Sequence, residues 1–316
     1  MKKKIVAMVA SVFVVGAMLA GCGASTPAEA PAAAEPAEVA EEVVEEPTEE
    51  ATEEVTEEVV EEATDSLGAD TQAIVDRGVL KVGVKNAVVG FGFQDTLTGE
   101  YSGLEISIAE KIAEKLGVDI EFTTVTAATR TELLDSGDID CVLATFTITD
   151  ERKESWDFTT PYFTDHVTVL VQTASGITDL AGLKDKSVGV SSGSTSAKSL
   201  TQAMIDAGLV DGTNFDAETF DAATWTEGIA YKQYDDYPAI STALSAGEVD
   251  AFCVDKSILA IYNTDDRNYI EDEFAPQDYG VATKKGSDFS AYVETCITDW
   301  LADGTIAGFV TENGLD

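Results

Sequence analysis

The sequence predicts an α/β fold built on a largely parallel sheet, and three observations carry that reading. From residue 69 onward, short apolar runs rich in Val and Ile alternate with helical stretches, and strands separated by helices pair in parallel. The chain beyond residue 68 is about 248 residues long, enough for two lobes that each bury a core. Lys85, Arg130 and Thr147 all fall at the carboxyl ends of predicted strands, which is where such sheets hold their ligands.

The N-terminus is a separate matter. Lys2, Lys3 and Lys4 precede an apolar run over 5–19 and then Leu19-Ala20-Gly21-Cys22. The apolar run is too short for a comfortable membrane span. Residues 1–22 read as a lipoprotein signal peptide whose lipobox makes Cys22 the lipidated first residue; a plain secretion signal cut near Ala20 is the alternative. The acyl chains on Cys22 would form a lipid anchor outside the cytoplasmic membrane.

Residues 23–68 hold fifteen Glu, one Asp and neither Lys nor Arg, and 41–64 repeat in steps of four (EEVV EEPT EEAT EEVT EEVV EEAT). Like charges four apart repel along a helix and Pro47 interrupts it, so the segment reads as a disordered acidic tether. The remainder carries 43 acidic against 16 basic residues, a net charge of −27. Such a surface repels nucleic acid and anionic lipid, so no nucleic-acid partner is expected.

In order, the globular part is predicted as helix 70–77, strand 79–84, a loop NAVVGFGF, helix 104–116, strand 120–125, helix 130–136 and strand 138–146. The helix at 104–116 is assigned from Ile106, Ile108, Ala109, Ile112, Ala113 and Leu116, which fit one helical face. A second α/β series follows: strand 167–171, strand 187–190, helix 197–207, an irregular acidic segment at 211–228, a helix leading to Gly247, and strand 249–254. Strand 281–284 and helix 289–301 close the chain. Cys141, Cys253 and Cys296 read as buried free thiols, with a Cys141–Cys296 disulfide left open.

The stretch LATFTITDERKESWDFTTPYF, residues 143–163, has its own chemistry. Thr149 or Asp150 suits an N-cap, Glu151 suits the first turn of a helix, and Arg152 then stands beside N–H groups without intrahelical partners. Free amides with a guanidinium fork bind a carboxylate. The same residues equally make a helix cap with a surface Arg–Glu pair.

This block resembles the signature of extracellular solute-binding proteins for polar amino acids, the ligand-catching subunits of ABC importers. VLKVGVKN, GEYSGLEISIAEKIAEKLG, TRTELLDSGDID, SVGVSSGST, DYPAISTALSAGEVDAFCVDKSIL and APQDYGVATKKGS follow in the family's order, so the resemblance covers roughly residues 72–316. It implies a two-lobed periplasmic-binding-protein-like fold of type II. Lobe 1 would comprise 69–161 and 280–316, lobe 2 would comprise 167–274, and hinges would lie at 162–166 and 275–279. It also implies a monomer that hands its ligand to an ABC permease in the membrane, with neither cofactor nor metal.

An α-amino acid offers a carboxylate, an ammonium and a side chain. By the resemblance, Arg152 takes the α-carboxylate, helped by the backbone at Thr147 and Thr149 and by Ser194 and Thr195 from the other lobe; that hydroxyl-rich turn is otherwise an N-cap. Asp255 takes the ammonium, or else simply pairs with Lys256. Lys85 and Arg130 stand where relatives for basic or amide ligands carry other groups, and both put positive charge at the side-chain pocket. The ligand expected is therefore L-glutamate or L-aspartate, with L-glutamine as the alternative. Phe91 is expected as an apolar wall and Tyr279 and Tyr237 as lining, unless all three are core. Ala87-Val88-Val89 replaces the Asp-Val-Pro usual in relatives, and Ser107 replaces an Asp.

A dehydratase-like enzyme on the same scaffold is the main rival. Catalysis needs a positioned acid or base, yet the only histidine is His166, placed in a hinge strand. An adhesin or ligand sensor is the third reading.

Overall fold

The computed structural model describes residues 67–316; the leader, Cys22 and the spacer up to residue 66 lie outside the described residues. Helix α1 (Ala69–Arg77) carries Asp70 in its first turn and Arg77 in its last, both favourable to the helix dipole. Strand β1 (Val79–Val84) follows, then a small three-stranded antiparallel sheet of β2 (Ala87–Val88), β3 (Gly92–Gln94) and β4 (Tyr101–Ser102). Helix α2 (Leu104–Leu116), strand β5 (Asp119–Thr124), helix α3 (Arg130–Ser136) and strand β6 (Cys141–Leu143) come next. Helix α4 (Asp150–Ser155) runs directly into β7 (Trp156–Phe158).

The chain then crosses to a second sheet through β8 (Phe163–Gln172). That sheet gains β9 (Ser187–Ser191), helix α5 (Ser196–Asp206), β10 (Ala230–Tyr234), helix α6 (Tyr237–Ala246), β11 (Ala251–Asp255), the short helix α7 (Lys256–Leu259) and β12 (Arg267–Tyr269). Strand β13 (Phe274–Tyr279) returns antiparallel to β8, and β14 (Ala282–Lys284), α8 (Asp288–Ala302) and α9 (Thr305–Glu312) finish the chain against the first sheet.

The two sheets run β5-β1-β6-β14-β7 and β10-β9-β11-β8-β12, with β13 on β8. Both are mixed: β1 pairs in parallel with β5 and β6, and β9 with β10 and β11, whereas β14, β8, β12 and β13 pair antiparallel. Because β8 and β13 pair with each other, the two crossings between sheets form one antiparallel ribbon. Residues 163–166 of the expected 162–166 hinge and the expected 167–171 strand are thus parts of one ten-residue strand.

One further expectation is corrected and one refined. Strand 138–146 shrinks to Cys141–Leu143, because the Ala144 and Thr145 carbonyls turn to Arg130 and Thr145 takes a φ of 44°. The segment 211–228, expected to be irregular, indeed holds no α-helix or strand, but its turns repeat. Asp211, Asp216 and Asp221 each accept the backbone N–H two residues on, and Phe215, Phe220 and Trp225, four after each Asp, gather with ring centroids 5.5–5.9 Å apart. Five residues form one turn, and three turns follow in succession. Cys141, Cys253 and Cys296 are all free and buried, so the disulfide left open in the sequence does not form; burial pushes each thiol's pKa up.

Candidate functional site

The carboxyl ends of both sheets meet at one small cavity of about 10 Å³, room for about one water molecule. Arg130, Thr145 and Thr147 wall it from the first sheet, and Ser194, Thr195, Tyr237 and Asp255 from the second. Arg130 opens α3, Thr147 follows β6, Ser194 and Thr195 sit between β9 and α5, and Asp255 ends β11. Backbone touches backbone here. Gly193 has a φ of 74°, and a Cβ at that position would lie 2.8 Å from the Ala127 carbonyl oxygen, so only glycine lets the two sheets come this close.

Arg152 spans the gap. Its Nη1 donates to the Thr147 carbonyl at 2.7 Å and its Nη2 to the Gly193 carbonyl at 3.1 Å, one from each side. Burial, followed by the neighbouring Arg130 charge, holds its pKa down at about 9. Arg130 is buried, places its guanidinium 3.8 Å from the Phe146 ring centroid, and donates Nη1 to the Ala144 and Thr145 carbonyls at 2.8 and 3.1 Å. Burial lowers its pKa to about 10.

Lys85 is buried behind the cavity wall, its ammonium 5.4 Å from the Tyr237 ring centroid. Burial and then Arg130 depress its pKa to about 7, against the pull of Glu105 and Asp255. Asp255 moves the other way. Burial raises its pKa to about 7, although the Tyr279 hydroxyl donates to its Oδ2. Lys256 turns away to pair with Glu273 and leaves Asp255 to the cavity.

Three expected site residues take other places. Thr149 caps α4 by accepting the Arg152 N–H at 3.1 Å and lines the open mouth rather than the enclosed cavity. Phe91 is wholly buried with its ring edge-on to Phe163 and Tyr279 at 5.0 and 5.7 Å, so it is core between the hinge strands and not a wall over a ligand. Tyr279, equally buried, acts through Asp255 rather than on the cavity.

Two residues were missed by sequence reasoning. Glu105 is fully buried; its Oε1 accepts the Thr145 N–H and, at 2.6 Å, the Tyr162 hydroxyl, while burial raises its pKa. The signal was available, since Glu105 shares the apolar face of α2 with Ile108, Ala109 and Ile112, where an acid is costly unless paired. Gln277, in β13, accepts from both Thr147 and Thr195. Nothing in the sequence marks it, because its partners lie 130 and 82 residues away.

A cavity walled by Arg130 and Asp255, with Arg152 bridging its mouth, between two sheets that share a pair of crossing strands, defines a two-lobed solute-binding protein. The chain belongs to the bacterial extracellular solute-binding proteins, family 3, whose model matches residues 80–312. It is 32% identical to the glutamine-binding protein of Geobacillus stearothermophilus over 70% of this chain and 78% of the relative. It is 28% identical to a glutamate-binding protein of Corynebacterium glutamicum, over 79% and 83% respectively. Among solved structures, an ancestral arginine-binding protein bound to arginine superposes with a TM-score of 0.63 at 31% identity, covering 75% of this chain and 98% of that one.

Proposed function

We propose that the protein captures an acidic amino acid, L-glutamate or L-aspartate, and delivers it to an ABC permease, held on the outer face of the cytoplasmic membrane through Cys22. The observation that carries the ligand class is a local reversal of charge. In a chain of net charge −40, Lys85, Arg130 and Arg152 outnumber Glu105 and Asp255 in and directly behind the cavity. An acidic amino acid carries one net negative charge, and Lys85, whose pKa falls to about 7, can take up a proton to match it where water is excluded.

Arg152 would hold the α-carboxylate, Asp255 the ammonium, and the Lys85 and Arg130 charges the side-chain carboxylate. Closure would be a population shift driven by contacts that exist only when both lobes engage the ligand. The Leu19-Ala20-Gly21-Cys22 pattern supports the anchor. Glutamine is the second reading, favoured by the Geobacillus relative.

Calorimetry at pH 8 separates the two. A carboxylate placed near Lys85 raises its pKa from about 7, so glutamate binding takes up close to one proton, read from the dependence of heat on buffer ionisation. Glutamine binds without that uptake. Tight glutamine binding with weak glutamate binding removes the acidic reading, and no thermal shift with any common amino acid removes amino-acid capture altogether.

A further inference from the structure

Gln277 lies in β13, the returning strand of the ribbon that joins the sheets, and is 2% exposed. Its Oε1 accepts the Thr147 hydroxyl at 2.7 Å and the Thr195 hydroxyl at 2.7 Å. These two threonines belong to opposite lobes, and both line the enclosed cavity. On its other side, Nε2 donates to the carbonyls of Ala275 at 2.9 Å and Pro276 at 3.3 Å.

Those carbonyls fix the sense of the amide. Turned over, the amide would set its oxygen against two carbonyl oxygens, an arrangement without any donor. The bulge between Phe274 and Pro276, where Ala275 has a φ of 48°, is what aims both carbonyls inward. Thr147 is further fixed by a backbone bridge to Tyr279 on the same strand. Thr195 occupies the N-cap position of α5, yet its side chain makes no capping bond.

A hydroxyl has one proton and two lone pairs. Thr147 and Thr195 each spend that proton on Gln277, so only acceptors are left to face the cavity. We propose that Gln277 is a positioning residue for the ligand's ammonium group: locked by its own bulge, it turns one hydroxyl from each lobe into an acceptor beside Asp255. The two lobes then recognise the same ammonium through one hinge-borne amide. The proposal rests on the reading that the cavity holds an amino acid, but not on which one.

The test compares amino acids with their deaminated counterparts on the full chain: L-glutamate with glutarate, and L-glutamine with glutaramate. The Kd ratio within each pair measures how much the ammonium contributes. In Gln277→Met the hydroxyls are free to turn and donate, and the ratio falls by about tenfold to a hundredfold, chiefly through weaker amino-acid binding. In Gln277→Glu one carboxylate oxygen still accepts both hydroxyls while the other meets the Ala275 and Pro276 carbonyls without a proton to donate, so the acceptor is kept but the lock is weakened, and the ratio falls less than in Gln277→Met.

Equal weakening of both members of a pair by Gln277→Met, or no weakening, overturns the proposal, as does a Gln277→Glu variant that loses as much of the ratio as Gln277→Met. If Gln277→Met does not fold, Thr195→Ser against Thr195→Val reads the same point: Ser keeps the ratio and Val lowers it, and a Val variant that keeps it overturns the proposal. A wild-type chain that binds neither amino acid removes the amino-acid reading itself, an outcome distinct from all of these.

Discussion

Lys85 inside the site and Lys198 at its mouth both face acidic groups near the gap between the two sheets, and the protein treats them differently. Lys198 reaches Glu151 at 2.9 Å with side chains 33% and 67% exposed, and also holds the Ala217 carbonyl at 3.1 Å. Lys85 is 5% exposed and its pKa falls to about 7. Water solvates the outer pair, so it contributes little to stability. Inside, each charge depends on its neighbours, and that dependence is what makes the inner set responsive to a charged ligand.

The comparison breaks most sharply at Gly193, where the inner region needs backbone contact. Gly193→Ala places a Cβ against the Ala127 carbonyl and costs roughly 1–2 kcal/mol for the left-handed conformation alone. Ligand affinity is expected to drop at least tenfold, because the lobes no longer approach, while the melting temperature changes by only a few degrees. Titration calorimetry alongside thermal melting checks the pair of results.

The pH dependence of the ligand-free chain is the next test. Lys85 has a folded pKa of about 7 against 10.5 unfolded, so the unfolded chain binds more protons between those values and stability rises with pH across that window. Asp255, raised to about 7 from 3.8, makes the folded chain bind more protons below 7, so its contribution falls as pH rises from about 4 to 7. Lys85→Met is expected to flatten the upper limb by roughly 2–4 kcal/mol, and Asp255→Asn to flatten the lower one. Urea melts at pH 5, 7 and 9 for each variant decide it; a Lys85→Met profile parallel to wild type would mean that Lys85 keeps its proton inside.

The smallest effect is predicted outside. Lys198→Met should change stability by less than about 0.5 kcal/mol, with the difference vanishing in high salt. A loss several times larger would place the mouth and the interior in one network.

How much was legible in the sequence follows the same division between local and distant causes. Strand β1 and helices α2 and α3 were readable to the residue, since apolar periodicity and flanking glycines are local signals. The T-x-x-R turn with its Thr149 cap was equally local. The length of β6 was not, because it depends on Arg130 claiming two carbonyls from fourteen and fifteen residues away. Phe91 was expected at the ligand, but only its tertiary neighbours Phe163 and Tyr279 reveal that it is core. Gln277 carries no local signal, and its meaning comes entirely from two threonines in other parts of the chain.

The three-turn ladder at 211–225 carries a consequence of a different kind. Each Asp closes its turn on a partner two residues away, and Phe215 and Phe220 each lie tilted against the ring of the following turn. Such a segment is a chain of similar five-residue links, each closed by its own Asp, and it is tied to the lobe through Phe220 against Tyr231 and Ala217 against Lys198. Ala217 and Phe220 stand at the rim of the mouth, so the ladder borders the entrance while the cavity beneath is built from other elements.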